Sequence, residues 1–341
     1  MSKLAIVIPA YKNTYFDQAL LSIANQTNKD FTLYIGDDCS PENLYSIIEK
    51  YIDRISISYK HFDENIGGKD LVAQWERCID LVGHEEWIWL FSDDDFMDTN
   101  CVEAFYQAIN ENNDYDLYHL KVKKVDEYSN PTFTQFIPYP EILTVEDYLL
   151  GVLQPGYFST AVEFIFRKSF YFDNGRFQNF DLAWCSDNAT VIKLGKRKGI
   201  RTIENSLVYW RLSLLNISSI EKDKNIVIRK MNAQLEFANW LYERLKNGEI
   251  KIEDSKLRRE LESWFMRSIQ SRIEILNFKL VVSLMKKFNN IVGNKESMIQ
   301  NVLFLAIYKL FRNFRGILKK IIFWRFLKLQ KQKLQNLRFL L

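Results

Sequence analysis

Trp87-Ile88-Trp89-Leu90-Phe91 is followed, after Ser92, by three adjacent aspartates, Asp93, Asp94 and Asp95. Five consecutive apolar residues with polar flanks read as a buried strand. The three carboxylates then mark where that strand leaves the core, which in an open α/β sheet is where a ligand binds. Such crowding is costly, because carboxylates about 5 Å apart at an effective dielectric of about 20 repel by roughly 3 kcal/mol per pair. A bound divalent cation reverses the sign of that energy, and magnesium is commonly held by one or two carboxylates together with substrate phosphates. The competing reading makes Asp93 and Asp94 solvated turn residues, with one aspartate capping a helix that starts near Asp98.

The preceding chain predicts the sheet to which that strand belongs. Lys3-Leu4-Ala5-Ile6-Val7-Ile8-Pro9 reads as a short strand ended by Pro9, and Leu20, Leu21, Ile23 and Ala24 follow at helical spacing. A second strand, Phe31 to Gly36, runs into Asp37-Asp38-Cys39-Ser40-Pro41, where Ser40 and Pro41 suit the start of a helix through Ile47 and Ile48. Ile55 to Phe62 is a third strand, a helix runs from about Lys69 to Leu81, and Trp87 to Phe91 is the fourth strand. Strands alternating with helices predict a mostly parallel sheet covered on both faces. Two acid-tipped strands in one parallel sheet place their carboxylates along the same edge, lining one crevice.

That crevice lacks the usual glycine cradles. The first strand ends in Pro9-Ala10-Tyr11 rather than G-x-G-x-x-G, and no G-x-x-x-x-G-K-[ST] occurs in the chain. Phosphates therefore need another device, for which a metal on the Asp93–Asp95 cluster is the candidate. Asp37 or Asp38 can accept a hydrogen bond from a base N–H or a ribose hydroxyl.

Residues 3–43 (AIVIPAYKN, SIANQT and FTLYIGDDCSPEN), with Asn65-Ile66-Gly67-Gly68 and the aspartates at 93–95, resemble the opening of family 2 glycosyltransferases of the GT-A fold. The resemblance is clear to about residue 110, weaker to about 219, and absent beyond. It implies a Rossmann-like α/β domain that moves a sugar from a nucleotide-diphosphate donor, UDP-sugar favoured, to a hydroxyl of a glycan or lipid-linked acceptor. Donor contacts are implied for Pro9, Tyr11, Asp37, Asp38, Asn65, Gly67, Lys69, Asp93, Asp94 and Arg211, and Mn2+ or Mg2+ is implied on Asp93 and Asp95. Ser92 replaces an aspartate that many members carry, so Asp94 remains open as the direct ligand.

An inverting transfer also needs a base on the face of the sugar opposite the leaving diphosphate. The resemblance puts it in Trp184-Cys185-Ser186-Asp187-Asn188, ahead of the helical stretch Ala189 to Lys198, and selects Asp187, with Asp181 in reserve. Ser186 stands where the family usually has glutamate, and Asp187 also fits an N-cap. Arg211, which ends the strand Leu207 to Arg211 before a serine-bearing loop, suits bidentate contact with phosphate, or else is a surface arginine beside Trp210.

Other chemistries find little support. His61, His84 and His119 are scattered, and Cys39, Cys78, Cys101 and Cys185 show no C-x-x-C spacing for zinc. Free thiols and a start directly on a strand predict a reducing cytoplasm. A sugar-1-phosphate nucleotidyltransferase would want a basic glycine-rich loop after the first strand. A non-catalytic scaffold with this fold is the other rival, discriminated by metal-dependent binding of a nucleoside diphosphate.

The net charge of +3 is unevenly spread: from Phe278 onward fourteen Lys or Arg face only Glu296, which gives +13 there and −10 elsewhere. In that segment Leu303, Ile307, Leu310, Phe314, Ile317, Ile321 and Trp324 form one helical stripe. A basic amphipathic helix with Trp and Phe suits an anionic membrane surface, reached through residues 297–341 at the inner face of the plasma membrane. Packing on the catalytic domain is the alternative; nucleic acid is disfavoured because the aromatics lie on the apolar stripe. Residues 1–219 are thus expected to form the catalytic domain and 220–341 a helical region, which packs on that domain or builds a homodimer interface.

Overall fold

The protein's computed structural model describes residues 2–132, 137–293, 300–306, 308 and 309. The chain divides into two compact units, Met1–Trp264 and Phe265–Leu341. The first is built on a nine-stranded mixed sheet. Its parallel half consists of β1 (Leu4–Ala10), β2 (Phe31–Asp37), β3 (Ser56–His61) and β4 (Trp87–Leu90), in the order β3-β2-β1-β4. Strands β1 and β4 are buried almost throughout because helices α1 (Phe16–Ala24), α3 (Leu71–Ile79) and α4 (Cys101–Glu111) cover the sheet. At the edge, β3 is largely exposed.

Pro9 does not end β1: the strand continues to Ala10, and Pro9 pairs in register with Gly36 of β2. A proline in a central strand normally removes a ladder hydrogen bond. Here β4 pairs with β1 only as far as Val7, so the missing N–H of Pro9 lies beyond that ladder. The helix expected after Ser40-Pro41 shrinks to α2 (Tyr45–Ile48), and Ser40 instead closes a turn through its N–H to Asp37 Oδ1 (2.8 Å). Nor does any of Asp93–Asp95 cap α4, whose N-cap is Asn100.

Beyond α4 the sheet turns mixed. Strand β8 (Phe164–Arg167) enters antiparallel between β4 and β6 (Leu117–Val125). The parallel partner of β6 is β9 (Ile200–Arg211), with an irregularity between Leu120 and Lys121. The short strands β5 (Phe96–Met97) and β7 (Ile142–Leu143) pair antiparallel with β9. Helices α5 (Val145–Leu153), α6 (Lys168–Asp173) and α7 (Ser186–Gly195) complete this half. The last strand of the sheet ends at Arg211, and the first compact unit continues through α8 (Lys224–Lys246) to Trp264. Asp223 caps α8 by accepting from the N–H groups of Asn225 (2.8 Å) and Ile226 (3.0 Å), and Leu235, Phe237, Trp240 and Leu241 are buried.

Helix α9 (Asp254–Ser271) spans the division between the units. In the second unit, Phe265 stacks on Phe288 of α10 (Phe278–Val292) with ring centroids 4.6 Å apart. No helix of the described residues is long and apolar enough to cross a membrane. Apart from residues 300–306, 308 and 309, the membrane reading of 297–341 lies outside the described residues.

Candidate active site

The carboxyl ends of β1, β2 and β4 are tied together by their own backbone and acids. Asp93 Oδ2 accepts hydrogen bonds from the N–H groups of Tyr11 (2.9 Å) and Lys12 (3.0 Å), just past the end of β1. The Tyr11 carbonyl accepts from Ser40 Oγ (2.6 Å), and the Asp38 N–H donates to the Ala10 carbonyl (2.9 Å). Cys39, at φ 54°, adopts the left-handed conformation that turns the chain so Ser40 can reach back to Asp37. The expectation that both acidic clusters share one edge is met by this network, in which the Tyr11 ring stays exposed.

Asp37 and Asp38 are both buried, and each has its partners. Asp37 Oδ2 accepts from Tyr59 Oη (2.8 Å) and lies 3.1 Å from His61 Nδ1. Asp38 accepts from the N–H groups of Ile66 and Gly67, each at 2.9 Å, and forms an ion pair with Arg77. A Cβ at Gly67 would lie 2.6 Å from Asp38 Oδ2, so only glycine allows this approach. Asn65 Oδ1 accepts from the Gly68 N–H (3.0 Å), completing the turn, and Lys69 stands exposed at its far end. Tyr59 and Arg77 escaped the sequence reading, and His61 entered it only as one of three scattered histidines. The alternation of Tyr59 and His61 on one face of β3, beside β2, was the available signal.

The three aspartates after β4 point to different partners. Ser92 Oγ donates to Asp94 Oδ1, and Asp95 Oδ1 accepts from the Arg211 N–H (2.7 Å). Burial, then the neighbouring Asp94 charge, raises the Asp93 carboxyl to about 6 and lifts Asp95 well above the usual carboxylate range. Each of these carboxylates has one oxygen in the contacts just described and a second one besides. These hard oxygen donors fit magnesium or manganese, which would take one or two of them and complete its shell with donor phosphates. Among the described residues no group of three or more His, Cys, Asp or Glu is placed to hold a metal unaided.

Arg211 does not serve as expected. It is completely buried, and its guanidinium donates to the carbonyls of Asp94 (2.8 Å), Asp126 and Glu127 (both 3.2 Å), to Ser129 Oγ (3.0 Å) and to Gln18 Oε1 (2.7 Å). It also lies over the Tyr15 ring at 4.2 Å. Five acceptors engage its donors, so Arg211 is a strut beneath the aspartate cluster rather than a phosphate clamp.

Helix α7 starts at Ser186, three residues earlier than its periodicity suggests, which places Asp187 in the first turn. Burial, with a smaller contribution from the Glu163 charge, raises the Asp187 carboxyl to about 6. The next side chain, Asn188, donates to Tyr148 Oη (3.0 Å), which shares a hydrogen bond with Ser159 Oγ (2.8 Å). Ser186 is fully buried and its Oγ accepts from the Phe180 N–H (3.0 Å), so the position where the resemblance leads one to expect glutamate here closes a loop. The reserve candidate Asp181 is held bidentately by Arg229 of α8 (2.7 and 2.9 Å), and that contact lowers its pKa. A carboxylate so engaged is a poorer base than Asp187.

The mixed sheet and its acid-bearing edge together are those of the GT-A fold, and comparison with known proteins narrows the class. The profile of "Glycosyl transferase family 2" matches residues 5–172. Poly(ribitol-phosphate) beta-N-acetylglucosaminyltransferase TarS of Staphylococcus aureus, from strains Mu50 and MW2, is 25% identical over 159 residues, or 46% of this chain. The chain matches only 27% of the length of those curated relatives. The structure of S. aureus TarS 1–349 in complex with UDP-GlcNAc has a TM-score of 0.54 at 16% identity, covering 91% of this chain and 92% of that one. The corresponding UDP complex has a TM-score of 0.51 over 91% of both chains. These structural likenesses are of fold. The chain belongs to the family 2 glycosyltransferases.

Proposed function

We propose that this protein transfers a sugar, with inversion, from a UDP-sugar to a hydroxyl of a glycan or polyol-phosphate acceptor. The carrying observation is the joining of three strand ends at one edge, with Asp93 held by the Tyr11 and Lys12 N–H groups and Asp38 holding the Asn65–Gly68 turn. Pro9, Tyr11, Asp37, Asp38, Asn65, Gly67 and Lys69 then form the donor wall. N-acetylglucosamine is the favoured sugar, supported by the name of the curated relative and by the UDP-GlcNAc bound to its structural counterpart.

In this reading the acceptor oxygen attacks the anomeric carbon while the bond from that carbon to the diphosphate oxygen breaks. The bonding pair leaves with the diphosphate, and the acceptor proton passes to Asp187 Oδ. A carboxyl raised to about 6 is ionised at neutral pH yet more basic than an ordinary aspartate, which suits that task. A divalent cation on Asp93 and Asp95 would offset charge on the leaving diphosphate. The basic segment 297–341 is proposed to hold the protein on the anionic inner leaflet, close to a lipid-linked acceptor.

Calorimetric titration of UDP, GDP and CDP, each with and without manganese, tests the reading. Binding of UDP that requires manganese supports it; no binding of any of the three by the folded chain overturns it.

A further inference from the structure

The segment that leads into Asp187 is held in an unfavourable backbone shape. Leu182 (φ 61°), Ala183 (φ 53°) and Cys185 (φ 70°) all occupy the left-handed region. No other four-residue stretch of the described residues contains even two such non-glycine residues. Strain of this kind persists only where the surroundings over-determine it, and it gathers at functional sites.

Helix α8 supplies the determination. Arg229 grips Asp181 at the start of the strained turn through two parallel hydrogen bonds, Nε to Oδ2 (2.9 Å) and Nη2 to Oδ1 (2.7 Å). The Phe237 ring meets Phe180 edge-on, and Trp240 Nε1 donates to Gln178 Oε1 (2.8 Å). The residue after Arg229, Lys230, is completely buried, with its ammonium 4.5 Å above the Trp184 ring. That ammonium also donates to the carbonyls of Ser218 (3.2 Å) and Ile220 (3.0 Å) in the loop after β9. The same loop is tied to the end of β1 by Lys12 Nζ, which donates to the Leu215 carbonyl (3.0 Å). Consecutive residues of one helix thus hold the segment carrying Asp187 and a loop fastened to the donor wall.

We infer that Arg229 is a positioning residue, which fixes Asp187 against the donor by clamping the strained turn from Phe180 to Ser186. The inference rests on the reading of Asp187 as the base. Arg229 and Asp181 are more than a third exposed, and ion pairs in that setting add little to stability. Their planar, two-point geometry instead fixes direction. Loss of the clamp should therefore act on turnover far more than on folding.

The test is steady-state kinetics with UDP-N-acetylglucosamine on the full chain, alongside calorimetric UDP binding and thermal melting. The variants are Arg229→Gln, Asp181→Asn, the conservative Arg229→Lys and the charge-swapped pair Asp181→Arg with Arg229→Asp. A base displaced by about 1 Å costs about 100-fold in rate, so kcat should fall roughly 10- to 100-fold in the two neutral variants. UDP affinity and donor KM should hold, the melting temperature should move little, and both Arg229→Lys and the swapped pair should recover part of kcat. Wild-type kcat in Arg229→Gln would overturn the inference, as would a loss of kcat that only follows losses of UDP binding and thermal stability. Full transfer by Asp187→Asn would instead remove the base reading on which the clamp depends, so the two failures are told apart.

Discussion

Asp187 and Asp93 are both raised to about 6, and the consequences differ because one is assigned to proton transfer and the other to ligand charge. Asp187→Asn should bind UDP as the parent does and lose transfer by at least about 100-fold, the low end expected when a general base is removed. In the parent, kcat should fall below pH 6, where Asp187 is protonated, and level off above it. Asp93 is a stability statement as well. A carboxyl raised in the folded state binds its proton more tightly than in the unfolded chain, so its contribution to stability falls as pH rises from about 4 to about 6. Asp93→Asn should therefore melt higher than the parent at neutral pH without metal, while losing manganese-dependent UDP binding. A lower melting temperature for that variant would contradict the charge-crowding account. The acids were legible in the sequence because carboxylates at a strand end have few structural explanations. Arg211 was misread because a cation at a strand end looks the same whether it meets phosphate or carbonyls. The carbonyls of Asp126 and Glu127 reach it only through the tertiary fold.

At the scale of elements, β1, β2 and β4 were readable because each is a short apolar run whose neighbours are helical, and burial on both faces requires that composition, whereas the exposed edge strand β3 alternates Ile57 and Tyr59 with polar residues. The antiparallel entry of β8 was not, since four residues, Phe164–Arg167, carry no mark of strand direction. Nor did the spacing of apolar residues reveal that α7 starts at Ser186, because its first turn is polar and Cys185 enters through a left-handed conformation. The Asn65–Gly68 turn offers a test at this scale. Gly67→Ala places a methyl group against Asp38 Oδ2, so either the carboxylate or the turn must give way. The two hydrogen bonds from the Ile66 and Gly67 N–H groups cannot both survive that movement. Each buried bond broken costs about 1–3 kcal/mol. The variant should melt several degrees lower and bind UDP more weakly by calorimetry, whereas unchanged UDP affinity would separate this turn from the donor wall.

For the molecule as a whole, the partition of charge asks for a partner. The segment from Phe278 onward carries +13 and the rest −10, so its cations meet attraction both from the remainder of the chain and from any anionic surface. Near an anionic leaflet each Lys or Arg contributes about 1 kcal/mol, and the apolar residues interspersed in that sequence would add burial that salt does not screen. Two contributions with different salt dependence make the membrane reading testable. The full chain should sediment with phosphatidylglycerol vesicles far more strongly than with neutral phosphatidylcholine vesicles. Raising salt to about 1 M, where the Debye length is about 3 Å, should release most but not all of it. Deleting residues 297–341 should abolish sedimentation while UDP binding by residues 1–296 remains. Retention of the truncated chain on anionic vesicles would move the membrane contact elsewhere. Equal binding to both vesicle types would leave the basic charge without a part in it.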